Sequence, residues 1–254
     1  MRVLVVGAGA IGITVGVRLA LAGQQVTYLV RHARRRALER DGVTLTAPDG
    51  THSLPAVTVT ADELCEPYDL IIVAVKASAV EAVVQEIAPA VGAETVIVPF
   101  LNGMRHIDLL SDRYPANVAG GLIMIVASLD ERGGAVQATP LAAITVGSLR
   151  DEPLPEHVRP LLDVPGLSVI EANDTQQRLW EKWAFIAAAG VITCLFDNTV
   201  GRIQAAGGLH YIEAAIDETE AVATAAGYPP RAAAHAQSIE ILTQPGSPFT
   251  SSLF

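Results

Sequence analysis

Hydrophobic residues first arrive as an unbroken run, Val3-Leu4-Val5-Val6, after which Ile11, Val15, Leu19 and Ala22 recur every three or four positions. This predicts a buried strand feeding a helix that stops at Gly23, with a second strand over 26–30. Residues 43–60 alternate apolar and polar around Pro48-Asp49-Gly50, as a small hairpin does. The segment 69–75 is almost wholly apolar, the mark of a parallel strand covered on both faces. A helix over 77–91 and a strand over 95–100 continue the alternation. From Val118 to about Ile170 the pattern is β-rich, with strands at 122–128, 143–147 and 167–170 that extend or flank the sheet, and turns at 130–134 and 153–155. Beyond Asn173 it is helical. Asp174 or Thr175 caps a helix reaching about Leu195, Asp197-Asn198 and Gly201 break it, Gly207-Gly208 precede a helix to about Ala226, and Gly227-Tyr228-Pro229-Pro230 separates a last one.

The first strand runs into Gly7-Ala8-Gly9-Ala10-Ile11-Gly12, a Gly-x-Gly-x-x-Gly turn placed between strand and helix. In that context the glycines serve a tight turn, close approach of a pyrophosphate, and close helix–strand packing, with the phosphates on the helix N-terminus. The expected fold is therefore α/β: an N-terminal Rossmann-type dinucleotide-binding domain over 1–172, then an all-helical domain over 173–254. After the second strand stands Arg31-His32-Ala33-Arg34-Arg35-Arg36, where NAD-binding folds place an acid. A guanidinium there can grip a 2′-phosphate, so NADP(H) is the expected cofactor; the alternative is a solvated helix start. Lys76 ends the apolar strand 69–75 and points toward the site, since ligands bind at the carboxyl ends of such sheets. Asn102, in Leu101-Asn102-Gly103, is either a plain turn residue or a contact for the nicotinamide ribose or the substrate.

Composition narrows the classes. Half of the 254 residues are hydrophobic, which excludes a disordered chain, and a formal net charge of -10 argues against a nucleic-acid surface. Cys65 and Cys194 give no disulfide framework, and neither they nor the six histidines show metal-ligand spacing, so no metal is expected. Met1-Arg2 leads straight into a strand with no signal-peptide pattern, and the apolar run 183–196 is too short to span a bilayer; a cytoplasmic protein is expected.

The glycine motif with its following arginine, Val75-Lys76-Ala77, Leu101-Asn102-Gly103 and the Leu179-Trp180-Glu181-Lys182 opening of the helical domain resemble the ketopantoate reductase family over the whole chain. The resemblance implies NADPH-dependent reduction of a branched 2-keto acid (2-dehydropantoate to pantoate, in pantothenate biosynthesis), with Lys182 in the place of the catalytic lysine. It further implies that Lys76 and Asn102 serve cofactor or substrate, and that Ser252, the second serine of Pro248-Phe249-Thr250-Ser251-Ser252, binds the substrate carboxylate. The family's asparagines four and eight residues after the lysine fall here on Ile186 and Gly190. With Thr193 and Asp197 these would line one side of the cleft between the domains. A substrate with a larger or more apolar group than ketopantoate is expected, because a buried hydroxyl without a partner is costly. In the family an acidic partner lies about one helix later, past Leu253-Phe254, so the helical domain is expected to be incomplete. The leading expectation is a reductase of a 2-keto acid or related carbonyl compound, with a homodimer left open. The alternative is an NADP(H)-binding redox-responsive regulator or degenerate paralogue without turnover. A β-hydroxyacid-type dehydrogenase ranks third, since its glycine-rich substrate segment is not found.

Overall fold

The computed structural model describes residues 1–150 and 152–252; the terminal Leu253-Phe254 pair singled out above lies outside them. By its internal contacts the chain divides into two units, Met1–Thr175 and Gln176–Phe254.

In the first unit β1 (Arg2–Val6) leads into α1 (Ala10–Leu21), then β2 (Gln25–Leu29) and α2 (His32–Asp41). β3 (Val43–Ala47) and β4 (Gly50–Leu54) form an antiparallel hairpin, and β5 (Thr58–Val59) follows. β6 (Leu70–Val73), α3 (Val80–Glu86), β7 (Val96–Pro99) and α4 (Arg105–Arg113) complete the alternating part. The first sheet is parallel, in the order β5-β2-β1-β6-β7. Successive residues of a strand point to opposite faces, so the run 3–6 is continuous because both faces are covered. Val3 and Val5 join one core cluster with α1, while Leu4 and Val6 join another with Val80, Val83 and Val84 of α3. The chain steps outward from β1 to β2 to β5 and returns to β6 on the other side. A crevice opens at the carboxyl ends where that order reverses.

The β-rich segment, expected to extend or flank this sheet, meets it at a parallel bridge between Ile97 and Val118 and beyond that builds a second sheet. β8 (Ala119–Leu129) is antiparallel to β9 (Ala135–Ser148), which also pairs with β10 (Ser168–Glu171) and β3, giving the order β10-β9-β3-β4 with β8 on β9. α1 lies between the sheets: Ile13, Val15 and Val17 share a cluster with Val3 and Val5 on one side and Leu45, Ile144 and Val146 on the other. A helix enclosed in this way is apolar nearly all round, which explains the buried stretch 12–19. Arg18 is the cation in that stretch. Its guanidinium forks onto Asp49 at the tip of the β3–β4 hairpin, holding that carboxyl well below the usual range.

Three further expectations are corrected. The hairpin ends at Leu54, since Thr58–Val59 joins the first sheet. The helix expected over 77–91 is α3 with 3-10 turns at Ala77–Ala79 and Ala88–Ala90 on either side; at the second, Pro89 has no N–H to continue the ladder. A short α5 (Val158–Leu162) lies between the turn at 153–155 and the strand at 167–170, inside the segment read as β-rich.

The second unit is helical. It holds all but the first residue of α6 (Thr175–Phe196), then α7 (Val200–Ala205), α8 (Leu209–Ala225) and α9 (Ala232–Leu242). Ala188, Ala189 and Ile192 of α6 pack with Val200, Ile203, Ile212, Ile216 and Leu242. Among the described residues α6 is the one helix long and apolar enough to cross a bilayer by length and composition. Gly201 does not break a helix but lies inside α7, where a Cβ would meet Gly246 Cα at 2.7 Å. The division falls three residues past the expected boundary because Thr175, 1% exposed, packs on Gly120 and Gly147 and donates to Ala172 O at 2.7 Å.

Candidate active site

At the strand reversal the chain leaves a cavity of about 580 Å³, lined by residues that follow β1, β2, β5 and β6. Its floor is the glycine turn. Gly7 has φ +99, and a Cβ there would lie 2.8 Å from Ala74 O, so glycine is required for the turn and for the approach of β6. A Cβ on Gly12 would strike Gly7 O, which keeps α1 tight on β1. Around Gly9 a Cβ would meet nothing within 4 Å, so the backbone there is open to a ligand. Gly9 is also the N-cap of α1 and no side chain caps that end, leaving free N–H groups aimed at an anion.

The arginine cluster divides its labour. Arg34 donates to Ala8 O at 3.3 Å and to Gly133 O at 2.6 Å, tying the glycine turn to the β8–β9 tip. Arg35 is held by Glu39 and Glu63, each at 2.7 Å. Arg31 stands at the N-terminal boundary of α2 without capping it, is exposed, lines the cavity, and has no protein partner for its guanidinium among the described residues. Lys76, exposed at the exit of β6, lines the cavity as well. Of the other expected residues, Gly7, Ala8 and Gly9 line it; Ala10, Ile11 and Gly12 form the helix start beneath; and Asn102 lies exposed beyond β7, outside its lining. Asp62, which the sequence did not single out, lines it from the exit of β5.

The second unit carries Lys182 on α6. It is half-buried, and burial pushes its ammonium down to about 8 from an ordinary 10.5. The helix around it is firmly held. Glu181 accepts from Arg231 N at 3.0 Å and Nε at 2.7 Å, and Trp180 stacks on Tyr228 at 6.0 Å. One face runs Lys182, Ile186, Gly190 and Thr193, half-buried to buried, while Asp197 falls past the helix end at φ +48. Thr193 Oγ1 lies 2.7 Å from Ala189 O and 2.9 Å from Ser251 Oγ, its single hydrogen serving one of the two at a time. Ser252 is exposed in a turn; the hydroxyl laid on the helix is that of Ser251, one residue earlier. Among the described residues no cluster of metal-ligating side chains occurs.

A doubly wound parallel sheet with an open glycine turn under a helix N-terminus, followed by a helical unit, is the architecture of a two-unit protein with a dinucleotide-type fold. The sequence profile for Ketopantoate reductase PanE/ApbA matches residues 3–151, and that for Ketopantoate reductase PanE/ApbA C terminal matches residues 174–254. The chain belongs to the ketopantoate reductase family. It is 33% identical over 248 residues to the uncharacterized oxidoreductase YkpB of Bacillus subtilis (strain 168), covering 96% of this chain and 81% of that one. To 2-dehydropantoate 2-reductase of Archaeoglobus fulgidus it is 27% identical, covering 95% and 80%. In fold it resembles D-mandelate dehydrogenase solved with NADH and anilino(oxo)acetate, at TM-score 0.87 and 18% identity, covering 100% and 84%. It likewise resembles 2-dehydropantoate 2-reductase of Geobacter metallireducens GS-15, at TM-score 0.84 and 24% identity, covering 100% and 85%.

Proposed function

We propose that the protein is an NADPH-dependent reductase of a 2-keto acid or related carbonyl compound carrying an apolar group, with Lys182 as the acid. The observation that carries this reading is an ammonium lowered by burial to about 8 on a helix face that continues into Ile186 and Gly190. Such a group is both a cation for a developing alkoxide and a proton donor that works near neutral pH. When bound, the dihydronicotinamide supplies the hydride to the carbonyl carbon. Lys182 Nζ gives its proton to the carbonyl oxygen, the product is the 2-hydroxy acid, and water restores the ammonium. The glycine turn and the α1 N-terminus hold the pyrophosphate, and Arg31 takes the 2′-phosphate. Ile186 offers only hydrocarbon where ketopantoate would need a partner for its hydroxyl, whereas D-mandelate dehydrogenase, similar in fold, was solved with a ligand bearing an aromatic ring.

The test is NADPH oxidation at 340 nm over a panel of 2-keto acids running from ketopantoate to aryl- and branched-alkyl compounds. Turnover should be best with the apolar members and fall about 10²-fold or more in Lys182→Ala while NADPH still binds. Arg31→Ala should weaken NADPH on the order of tenfold and leave NADH nearly unchanged. Full activity in Lys182→Ala, or ketopantoate as the best substrate, overturns the reading.

A further inference from the structure

No acid follows β2 in the sequence, yet the sheet brings one to the same place from the next strand out. β5 pairs with β2 in parallel register, Thr58 beside Tyr28 and Val59 beside Leu29. The residues leaving the two strands therefore emerge side by side. Arg31 and His32 leave β2, Thr60, Ala61 and Asp62 leave β5, and all five line one cavity. The turn carrying Asp62 is fixed by its neighbour, since Glu63 accepts the Thr60 amide at 3.0 Å and binds Arg35 at 2.7 Å. Glu63 is thus engaged away from the cavity. Asp62 is exposed, and among the described residues no lysine or arginine forms an ion pair with it. The remaining charged lining groups are placed otherwise: Arg34 is tied to Ala8 and Gly133, and Lys76 and Glu86 come from the chain beyond β6.

We propose that Asp62 is a cofactor-selectivity residue that opposes Arg31 and makes the site accept NADH alongside NADPH. The proposal rests on the reading of this cavity as the dinucleotide site. A carboxylate beside the adenosine ribose repels the dianionic 2′-phosphate that a guanidinium attracts. The same carboxylate accepts a hydrogen bond from a free 2′-hydroxyl, as the acid in NAD-binding folds does. Arg31 and Asp62 therefore pull the choice in opposite directions, and the ratio of the two affinities measures their balance.

The experiment is calorimetric titration of the full chain with NADPH and with NADH, at low and at high ionic strength, for wild type, Asp62→Asn, Asp62→Ala and Arg31→Ala. Both Asp62 variants should raise the NADPH-to-NADH affinity ratio by about three- to tenfold, and the rise should shrink at high salt, because the interaction is between solvated charges. Arg31→Ala should move the ratio the other way. A ratio unchanged within about twofold in both Asp62 variants, with Arg31→Ala still effective, overturns the proposal and leaves the cofactor reading standing. A ratio raised by the Asp62 variants but untouched by Arg31→Ala overturns the opposition between the two residues, since Arg31 is then not the phosphate contact. Wild type binding neither dinucleotide overturns both.

Discussion

A lysine in water holds its proton to about pH 10.4, so one lowered to about 8 by burial changes charge in a range where enzymes can be assayed. The sign follows from which form the reaction consumes. Reduction needs the ammonium, so kcat/KM should be level below about pH 7 and should decline toward tenfold per unit above about 8, the lowered value. Oxidation of the hydroxy acid needs the neutral amine and should rise over the same interval. Lys182→Arg keeps a cation that does not titrate there, so it should lose the break in the profile as well as most of the rate. A reduction rate that rises through pH 8 would remove Lys182 as the proton donor. At this scale the sequence was informative where a residue's place follows from its immediate neighbours. Arg31 falls at the end of a strand and Lys182 follows a recognisable Trp-Glu, and both stand at those places. Ser251 and Asp62 show the limit. Which of two adjacent serines faces α6 depends on how the 247–251 segment docks on Thr193 and Val200, and Asp62 acquires its neighbours only through pairing between β2 and β5.

An element fixes what its residues can share. Positions four apart on a helix stand one above the other, so Lys182, Ile186 and Gly190 share one face that runs from a charged side chain to an apolar one to none within about two turns. Ile186→Asn should lower kcat/KM for the best apolar substrate and raise it for ketopantoate, about tenfold in ratio, by giving a substrate hydroxyl a partner. Gly190→Asn should add less than its separate effect in the double variant, since both side chains would meet one ligand. Steady-state kinetics with the two substrates decides it; an unchanged ratio means that this face does not touch the substrate. The same helix was legible from sequence because a polar start, an apolar period and the Asp197-Asn198 stop are all local signals. The 77–91 helix and the second sheet were not. Pro89 interrupts a segment whose apolar spacing still looks helical, and β9 pairs with β3 from far along the chain, a contact that no window of sequence contains.

For the molecule as a whole, the two compact units divide the work unevenly. Every residue lining the cavity proposed for the dinucleotide belongs to Met1–Thr175, and the two core clusters that flank its parallel sheet are drawn from the same unit. Lys182, Ile186 and Gly190 belong to the other, with a separate core of helix residues. A fragment ending at Thr175 keeps the side chain that closes the packing over Gly120 and Gly147. It should therefore fold cooperatively by itself, bind NADPH within a few-fold of the full chain, and show no ketone reduction. Because the ligand binds only the folded form, the fragment should gain about 2.7 kcal/mol of stability at a cofactor concentration a hundred times its Kd. Thermal and urea melts with and without NADPH measure that gain, and the Arg31→Ala substitution in the fragment should reduce it. A fragment that folds but binds no dinucleotide would mean that the second unit supplies part of the cofactor site, whereas one that fails to fold would mean that Thr175 is not where the first core closes.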